Sequence, residues 1–184
     1  MGIFSETAQW KILSFFFERR GEEIHVKEIA RQAKVSPGSA SSLCKKLLRT
    51  DFLRASRKGN ALFYSLNSGN PLAKRLKADW FLEQLLKYRK LWEHEEIQSV
   101  ALYGSYASGE YGRRSDVDLL IITNMNEAKV LEALRLLQDK LKPEVSFTIL
   151  PISKWLELGK KKDRFYIEIL SNHILLFGSP LVVG

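Results

Sequence analysis

The stretch LYGSYASGEYGRRSDVDLLII, residues 102–122, decides the fold of the second half of this chain. One apolar run predicts a strand from Ile97 to Tyr103, and another predicts a strand from Leu119 to Thr123. Between them, Gly104 and Ser105 form a turn in which glycine lets the backbone approach a ligand closely. If Ser105 opens a short helix, its hydroxyl and the nearby backbone N–H groups can hold phosphate oxygens. The arrangement therefore predicts a phosphate-binding turn.

Two carboxylates, Asp116 and Asp118, open the second of these strands. Because a strand has a period of two, both side chains are expected on the same face. Neighbouring carboxylates repel each other unless a divalent cation lies between them. Mg²⁺ (or Mn²⁺) prefers such oxygens together with waters and substrate phosphates. The spacing therefore predicts a metal next to the phosphate, and the alternative is a pair of exposed residues at the start of a strand.

On these residues the chain resembles the nucleotidyltransferase fold of the DNA polymerase beta superfamily, over roughly residues 93–178, and is nearest to the minimal nucleotidyltransferases. The resemblance implies nucleotide-binding residues Gly104, Ser105 and Ser115, and metal-binding, catalytic residues Asp116 and Asp118. It also implies transfer of a nucleoside monophosphate from NTP to a hydroxyl, with Mg²⁺ as cofactor. The acceptor stays open between a protein, a small molecule and RNA. Similarity to antitoxin-type members raises the option of a protein acceptor such as a partner toxin.

Active members of that family use a third carboxylate on a later strand, and Glu144 is the candidate here. The strand is expected at Val145 to Leu150, where the position of the acid holds Ser146. Glu144 lies one pleat earlier on the same face and is the candidate substitute. The alternative function is a DNA-binding regulator whose transferase-like domain binds nucleotide without catalysis.

The net charge of +8 is concentrated at the beginning of the chain. Residues 1–70 carry 12 Lys and Arg against 6 Asp and Glu, whereas residues 71–184 carry 17 against 15. A concentrated positive field attracts phosphate backbones and gains free energy from counterion release. The charge therefore favours a nucleic-acid partner for the first part of the chain, with a solvated basic surface as the alternative.

Periodicity in residues 1–70 predicts three helices and a hairpin. The expected elements are helices at Thr7–Arg19, Lys27–Ala33 and Pro37–Arg49, a short extended piece at Ile24–Val26, and strands at Phe52–Ser56 and Ala61–Leu66. Ser36 fits the N-cap of the third helix and Pro37 fits its first turn. The segment from Arg57 to Asn60 is expected to be the hairpin turn.

This order of elements resembles the winged helix-turn-helix family, over residues 5–67. The resemblance implies that the third helix lies in the major groove of duplex DNA while the hairpin tip contacts the backbone. The expected DNA-binding residues are Ser39, Ser42, Lys45, Lys46, Arg49, Arg57 and Lys58. Winged helices also dock proteins, so a protein-docking module is the alternative.

The sequence therefore predicts an α+β protein: a winged helix-turn-helix joined by a helix to a small mixed-sheet nucleotidyltransferase domain. The expected boundaries are 1–70, 71–92 for the connecting helix, and 93–184. The connecting helix either packs on the second domain or pairs two chains in a homodimer. Cys44 is the single cysteine and excludes an internal disulfide, and no apolar run approaches the roughly 18 residues of a membrane span. Residues 1–7 lack the layout of a secretory signal, so a cytoplasmic protein without membrane partners is expected.

Overall fold

The computed structural model describes residues 7–182. The chain forms two compact units, Met1–Glu83 and Gln84–Gly184. The fold is a mixed α+β architecture, as the sequence predicts. Residues 5 and 6 of the predicted winged-helix segment lie outside the described residues.

Within the described residues, the first unit contains three helices, most of a fourth helix described below, and a three-stranded antiparallel sheet. Its elements are α1 (Ala8–Phe17), β1 (Ile24–His25), α2 (Val26–Gln32), α3 (Pro37–Arg49), β2 (Leu53–Lys58) and β3 (Ala61–Leu66). The strands lie in the order β1-β3-β2. As predicted, the Ser36 side chain caps α3 by accepting a hydrogen bond from the Ser39 backbone N–H, and Pro37 occupies the first turn.

The apolar stripes of these elements meet in one core. Its completely buried members include Ile12 and Phe16 of α1, Ile29 of α2, and Ala40 and Cys44 of α3. Burial raises the pKa of the Cys44 thiol to about 12. A thiol with that pKa is an inert part of the core and not a redox group.

The hairpin turn is shorter than the sequence predicts. Arg57 and Lys58 lie in β2, and Lys58 pairs with Ala61, so Gly59 and Asn60 alone make the turn. Gly59 takes a left-handed φ of +60°, which a two-residue hairpin requires and which glycine adopts without strain. The prediction that Arg57 and Lys58 lie in the turn is therefore wrong, because both residues still pair with residues of β3.

The predicted connecting helix is also shorter. Helix α4 spans Pro71–Leu86 and is followed by a short 3₁₀ helix at Arg89–Leu91. Ala73 is completely buried in the core of the first unit, where Trp80 packs with its ring centroid 6.0 Å from that of Phe17. The expectation that this helix packs on the second domain is thus wrong for the part from Ala73 to Trp80.

In the second unit, the described residues form a four-stranded sheet with the order β6-β5-β4-β7. The elements are β4 (Ile97–Tyr103), α5 (Gly104–Ser108), β5 (Val117–Thr123), α6 (Glu127–Lys140), β6 (Val145–Leu150), α7 (Ile152–Lys160), α8 (Arg164–Ser171) and β7 (His173–Gly178). Strands β5 and β6 are parallel, whereas β4 is antiparallel to both of its neighbours. The sheet is therefore mixed, as predicted.

Helices α7 and α8 pack on one face of this sheet. Trp155 of α7 and Tyr166 of α8 lie in contact, with ring centroids 4.7 Å apart, over Leu120 of β5. The Trp155 indole N–H donates to the carbonyl of Leu181 at 3.0 Å. Because strand residues alternate, Asp118 lies on the same face as Leu120, so α7 and α8 cover the face that carries the acid. None of the helices among residues 7–182 is both long and apolar enough to cross a bilayer.

Candidate active site

The Gly-Ser turn lies where β4 passes into α5. Gly104 is the first residue of α5 and has a left-handed φ of +68°. Ser105 is the second, and its carbonyl accepts hydrogen bonds from the backbone N–H groups of Glu110 at 2.9 Å and Tyr111 at 3.1 Å. A short helix thus follows β4 as the sequence predicts, and it begins at Gly104, one residue before Ser105. The segment after β4 folds back on itself and holds the turn in one conformation.

Gly104 directly adjoins one of the two predicted metal ligands. In the antiparallel ladder, its neighbour Tyr103 pairs with Asp118 of β5. A Cβ atom built on Gly104 would collide with the Asp118 carboxylate oxygen Oδ2 and would lie 3.3 Å from its Cγ. Glycine therefore allows the backbone of the Gly-Ser turn and the Asp118 carboxylate to share this space without a shift of the carboxylate.

The two aspartates differ in their surroundings. Strand β5 begins at Val117, so Asp118 lies within it and is half-buried, whereas Asp116 precedes it and is exposed. Burial raises the pKa of the Asp118 carboxyl, and the negative charge of Asp116 raises it further. The pair thus carries repulsion that a bound cation would relieve.

Two carboxylates suit a cation that completes its coordination with phosphate oxygens and water. Between residues 7 and 182, no three carboxylate, imidazole or thiol groups are gathered as a protein-only metal site. Asp116 and Asp118 are the residues of this site that could hold a metal ion, with phosphate oxygens and water as its other ligands. This is the manner in which Mg²⁺ is commonly bound in phosphate-transferring sites.

The third predicted acid, Glu144, lies just before β6. It is exposed, and its backbone carbonyl accepts the Val117 N–H at 2.8 Å. The β6 residue in register with Asp118 is Ser146, as the sequence analysis expected for the acid position. The structure does not gather Glu144 with the aspartates in a three-acid cluster, and its catalytic role stays a prediction.

Ser115 shapes the loop before Asp116. Its hydroxyl accepts the Gly112 backbone N–H at 2.9 Å, and its own N–H donates to the Gly112 carbonyl at 3.2 Å. These bonds close the turn that carries Arg113 and Arg114. Ser115 therefore positions the loop, and its predicted contact with nucleotide stays a prediction.

Sequence reasoning missed several residues at this site. Tyr103 and His173 continue the row of Ser146 and Asp118 across the sheet. The Tyr103 hydroxyl lies 2.9 Å from the Thr148 hydroxyl oxygen, and burial raises the pKa of that phenol. The Asn172 side-chain amide donates to the Gly104 carbonyl at 3.4 Å. The sequence carries no local signal for these neighbours, because strand pairing brings them together from distant segments.

The predicted DNA-binding residues lie in the first unit. Ser39, Ser42, Lys45, Lys46 and Arg49 are all exposed on α3, and Arg57 is exposed on β2. Lys58 is engaged with Glu23 at 2.8 Å, and its ammonium lies 5.0 Å from the centroid of the Phe63 ring. Lys58 is therefore less available to a phosphate than the sequence suggests.

Comparison with known proteins identifies the second unit. Residues 81–176 match the family described as nucleotidyltransferase domain. A protein of Methanocaldococcus jannaschii, named as a candidate protein adenylyltransferase, is 31% identical over 86 residues. That alignment covers 47% of this chain and 60% of the relative's length.

Solved structures show weaker similarity. A toxin–antitoxin complex with AMP-PNP has a TM-score of 0.37 at 18% identity, covering 52% of this chain and 72% of that chain. Lactococcus lactis ZitR has a TM-score of 0.36 at 24% identity, covering 44% of this chain and 57% of that chain. These scores are too low to assign a function.

Proposed function

Because the chain belongs to the nucleotidyltransferase domain family, we propose that it transfers a nucleoside monophosphate from NTP to a hydroxyl group of an acceptor. The observation that carries the proposal is the contact between Gly104 and Asp118. The φ of +68° and the space that a Cβ would fill put the Gly-Ser turn directly against an acid, which supports phosphate binding at this turn. Purely structural packing does not require a half-buried carboxylate with a raised pKa at this point.

The chemistry follows from this arrangement. The acceptor oxygen attacks the α-phosphorus and forms a new O–P bond, while the bond from the α-phosphorus to the bridging oxygen breaks and pyrophosphate leaves with its electron pair. Backbone N–H groups and the hydroxyl at Ser105 would hold phosphate oxygens. Nucleotidyltransferase domains generally use divalent metal ions. Asp116 and Asp118 would hold Mg²⁺ or Mn²⁺, which when bound neutralises charge on the phosphates.

A protein is the acceptor that we favour, and ATP is the donor. The support is the relative from Methanocaldococcus jannaschii, whose name describes adenylyl transfer to protein. A partner toxin is one such acceptor. Only 60% of the relative's length aligns with this chain. The protein acceptor is therefore part of the proposal, and the following experiment tests it.

The test is a transfer experiment in a cell lysate with Mg²⁺ and ATP, labelled either at the α-phosphate or at the γ-phosphate. We expect α-label on a macromolecule and no γ-label, because pyrophosphate leaves. The Asp116→Asn/Asp118→Asn variant should transfer neither the α-label nor the γ-label. Equal incorporation of both labels would indicate trapped nucleotide, and γ-label without α-label that depends on Asp116 and Asp118 would indicate phosphorylation. Either result would contradict the proposal.

A second function, duplex DNA binding by the first unit, is favoured by one surface. Helix α3 is capped at Ser36 and presents hydroxyl groups followed by Lys45, Lys46 and Arg49 to solvent. Three helices followed by an antiparallel hairpin is the order of a winged helix-turn-helix, which places such a helix in the major groove. If the second unit bound nucleotide without transferring it, the protein would be a DNA-binding regulator that senses a nucleotide.

A further inference from the structure

Helix α8 borders the turn that carries Gly104. At its beginning, the Phe165 ring meets the Tyr103 ring edge-on, with centroids 6.2 Å apart. At its C-cap, the Asn172 amide donates to the Gly104 carbonyl at 3.4 Å. Both ends of one helix edge therefore contact the end of β4.

Glu168 lies between these two contacts. It follows Phe165 by three residues and precedes Asn172 by four, a spacing that places all three along one edge of the helix. Its side chain is exposed, and Tyr166 and Ile169 fill the buried face of α8 instead. Glu168 therefore lies on the helix edge that faces the end of β4, and its carboxylate is open to solvent.

The electrostatics of Tyr103 agree with this placement. Burial is the largest cause of the raised pKa of its phenol, and the negative charges of Asp118 and Glu168 raise that pKa further. Both carboxylates thus lie near the same phenol, although one comes from the sheet and the other from a helix.

We propose that Glu168 is the carboxylate that accepts the proton of the incoming hydroxyl, in the role that the sequence assigned to Glu144. This inference rests on the proposed transfer reaction. The residue in register with Asp118 on β6 is Ser146, whose hydroxyl is no base, and Glu144 lies before β6, where its backbone carbonyl accepts the Val117 N–H. Glu168 reaches the site from α8 and removes the need for an acid on β6.

The step is balanced. As the acceptor oxygen bonds to the α-phosphorus, its proton passes to a carboxylate oxygen of Glu168, and the electron pair of the broken bond leaves with pyrophosphate. The protonated Glu168 then loses that proton to solvent, for which its exposed position is suited.

The first experiment compares Glu168→Gln with Glu144→Gln in the transfer assay. We expect Glu168→Gln to lower kcat by about a hundredfold or more with KM for ATP nearly unchanged, because general-base catalysis contributes at least that much. Glu168→Asp should recover part of the rate, whereas Glu144→Gln should remain active. Loss in Glu144→Gln together with full activity in Glu168→Gln would overturn the assignment.

The second experiment does not need an acceptor. Glu168→Lys should tighten binding of ATP on the order of threefold to tenfold, because it replaces a negative by a positive charge beside the triphosphate. Glu132→Lys makes the same change at an exposed position of α6, outside the cluster packed under α7 and α8, and should have little effect. Equal affinities of the two variants would show that Glu168 does not face the nucleotide. Absence of ATP binding by the unmodified protein would instead refute the proposed function.

Discussion

Glycine is needed at position 104 for two reasons, and a Gly104→Ala variant compared with a matched control separates them. The first is conformational: a non-glycine residue at a φ of +68° costs about 1–2 kcal/mol. The second is spatial, because the new Cβ would collide with Asp118 Oδ2 and the carboxylate would have to move. A cost of that size corresponds to a fall of about 2–4 °C in Tm per kcal/mol for a chain of this length.

Gly21→Ala is the matched control. Gly21 has a φ of +79°, and a Cβ built there meets nothing within 4 Å. It carries the conformational cost alone. Both variants should therefore lose stability, and only Gly104→Ala should also lose its response to nucleotide.

Thermal unfolding with and without Mg²⁺ and a non-hydrolysable ATP analogue measures that response. At a ligand concentration about 100 times Kd, the unmodified protein and Gly21→Ala should each gain about 2.7 kcal/mol. Gly104→Ala should gain little, because the displaced Asp118 can no longer hold the metal. If Gly104→Ala gains as much as Gly21→Ala, the contact between the turn and the carboxylate is not part of the binding site, and the reasoning fails.

Three further perturbations test other parts of the account. Lys77 is 1% exposed, and burial lowers its pKa to about 7, with a smaller contribution from Arg20. Because this folded-state pKa is below the unfolded value of about 10.4, stability should rise as pH increases from about 7 towards 10. Lys77→Met should remove that slope in denaturant titrations, whereas an unchanged slope would contradict it. Duplex DNA affinity of the full chain should fall with salt, and Arg57→Ala should lower the log-log slope by up to about 0.9; gel-shift titrations that show no duplex binding even at low salt would refute the DNA proposal. Because Glu168 removes the need for an acid on β6, Ser146→Asp should leave the transfer rate nearly unchanged, and a large increase in rate with ATP binding retained would show that the missing acid belongs in register with Asp118.

Local sequence was sufficient for the parts of the site that neighbouring residues build. The Gly-Ser turn, the acid in β5 and the serine in place of the third acid all follow from strand periodicity over short distances. The Ser36 cap of α3 was predictable for the same reason, because a cap needs only its own first turn.

Other features depend on contacts between distant segments. Asn172 reaches the turn only because β7 pairs with β4 and brings the end of α8 to it. Lys58 was wrongly predicted to lie in the turn because the alternation of apolar residues ends before it. Its backbone nevertheless pairs with Ala61, so β2 continues through Lys58. Helix α4 carries apolar residues that suit either unit, and only the completed core shows that Trp80 packs in the first.

The central claim is that Asp116 and Asp118 hold a divalent metal together with a nucleotide. Titration of Mn²⁺ followed by electron paramagnetic resonance, in the presence of a non-hydrolysable ATP analogue, tests it without an acceptor. The protein should bind Mn²⁺ more tightly than the analogue does alone, and the Asp116→Asn/Asp118→Asn variant should lose that gain. Asp139→Asn, a change at an exposed position of α6, should retain it. Equal Mn²⁺ binding by the double variant and the unmodified protein would contradict the account.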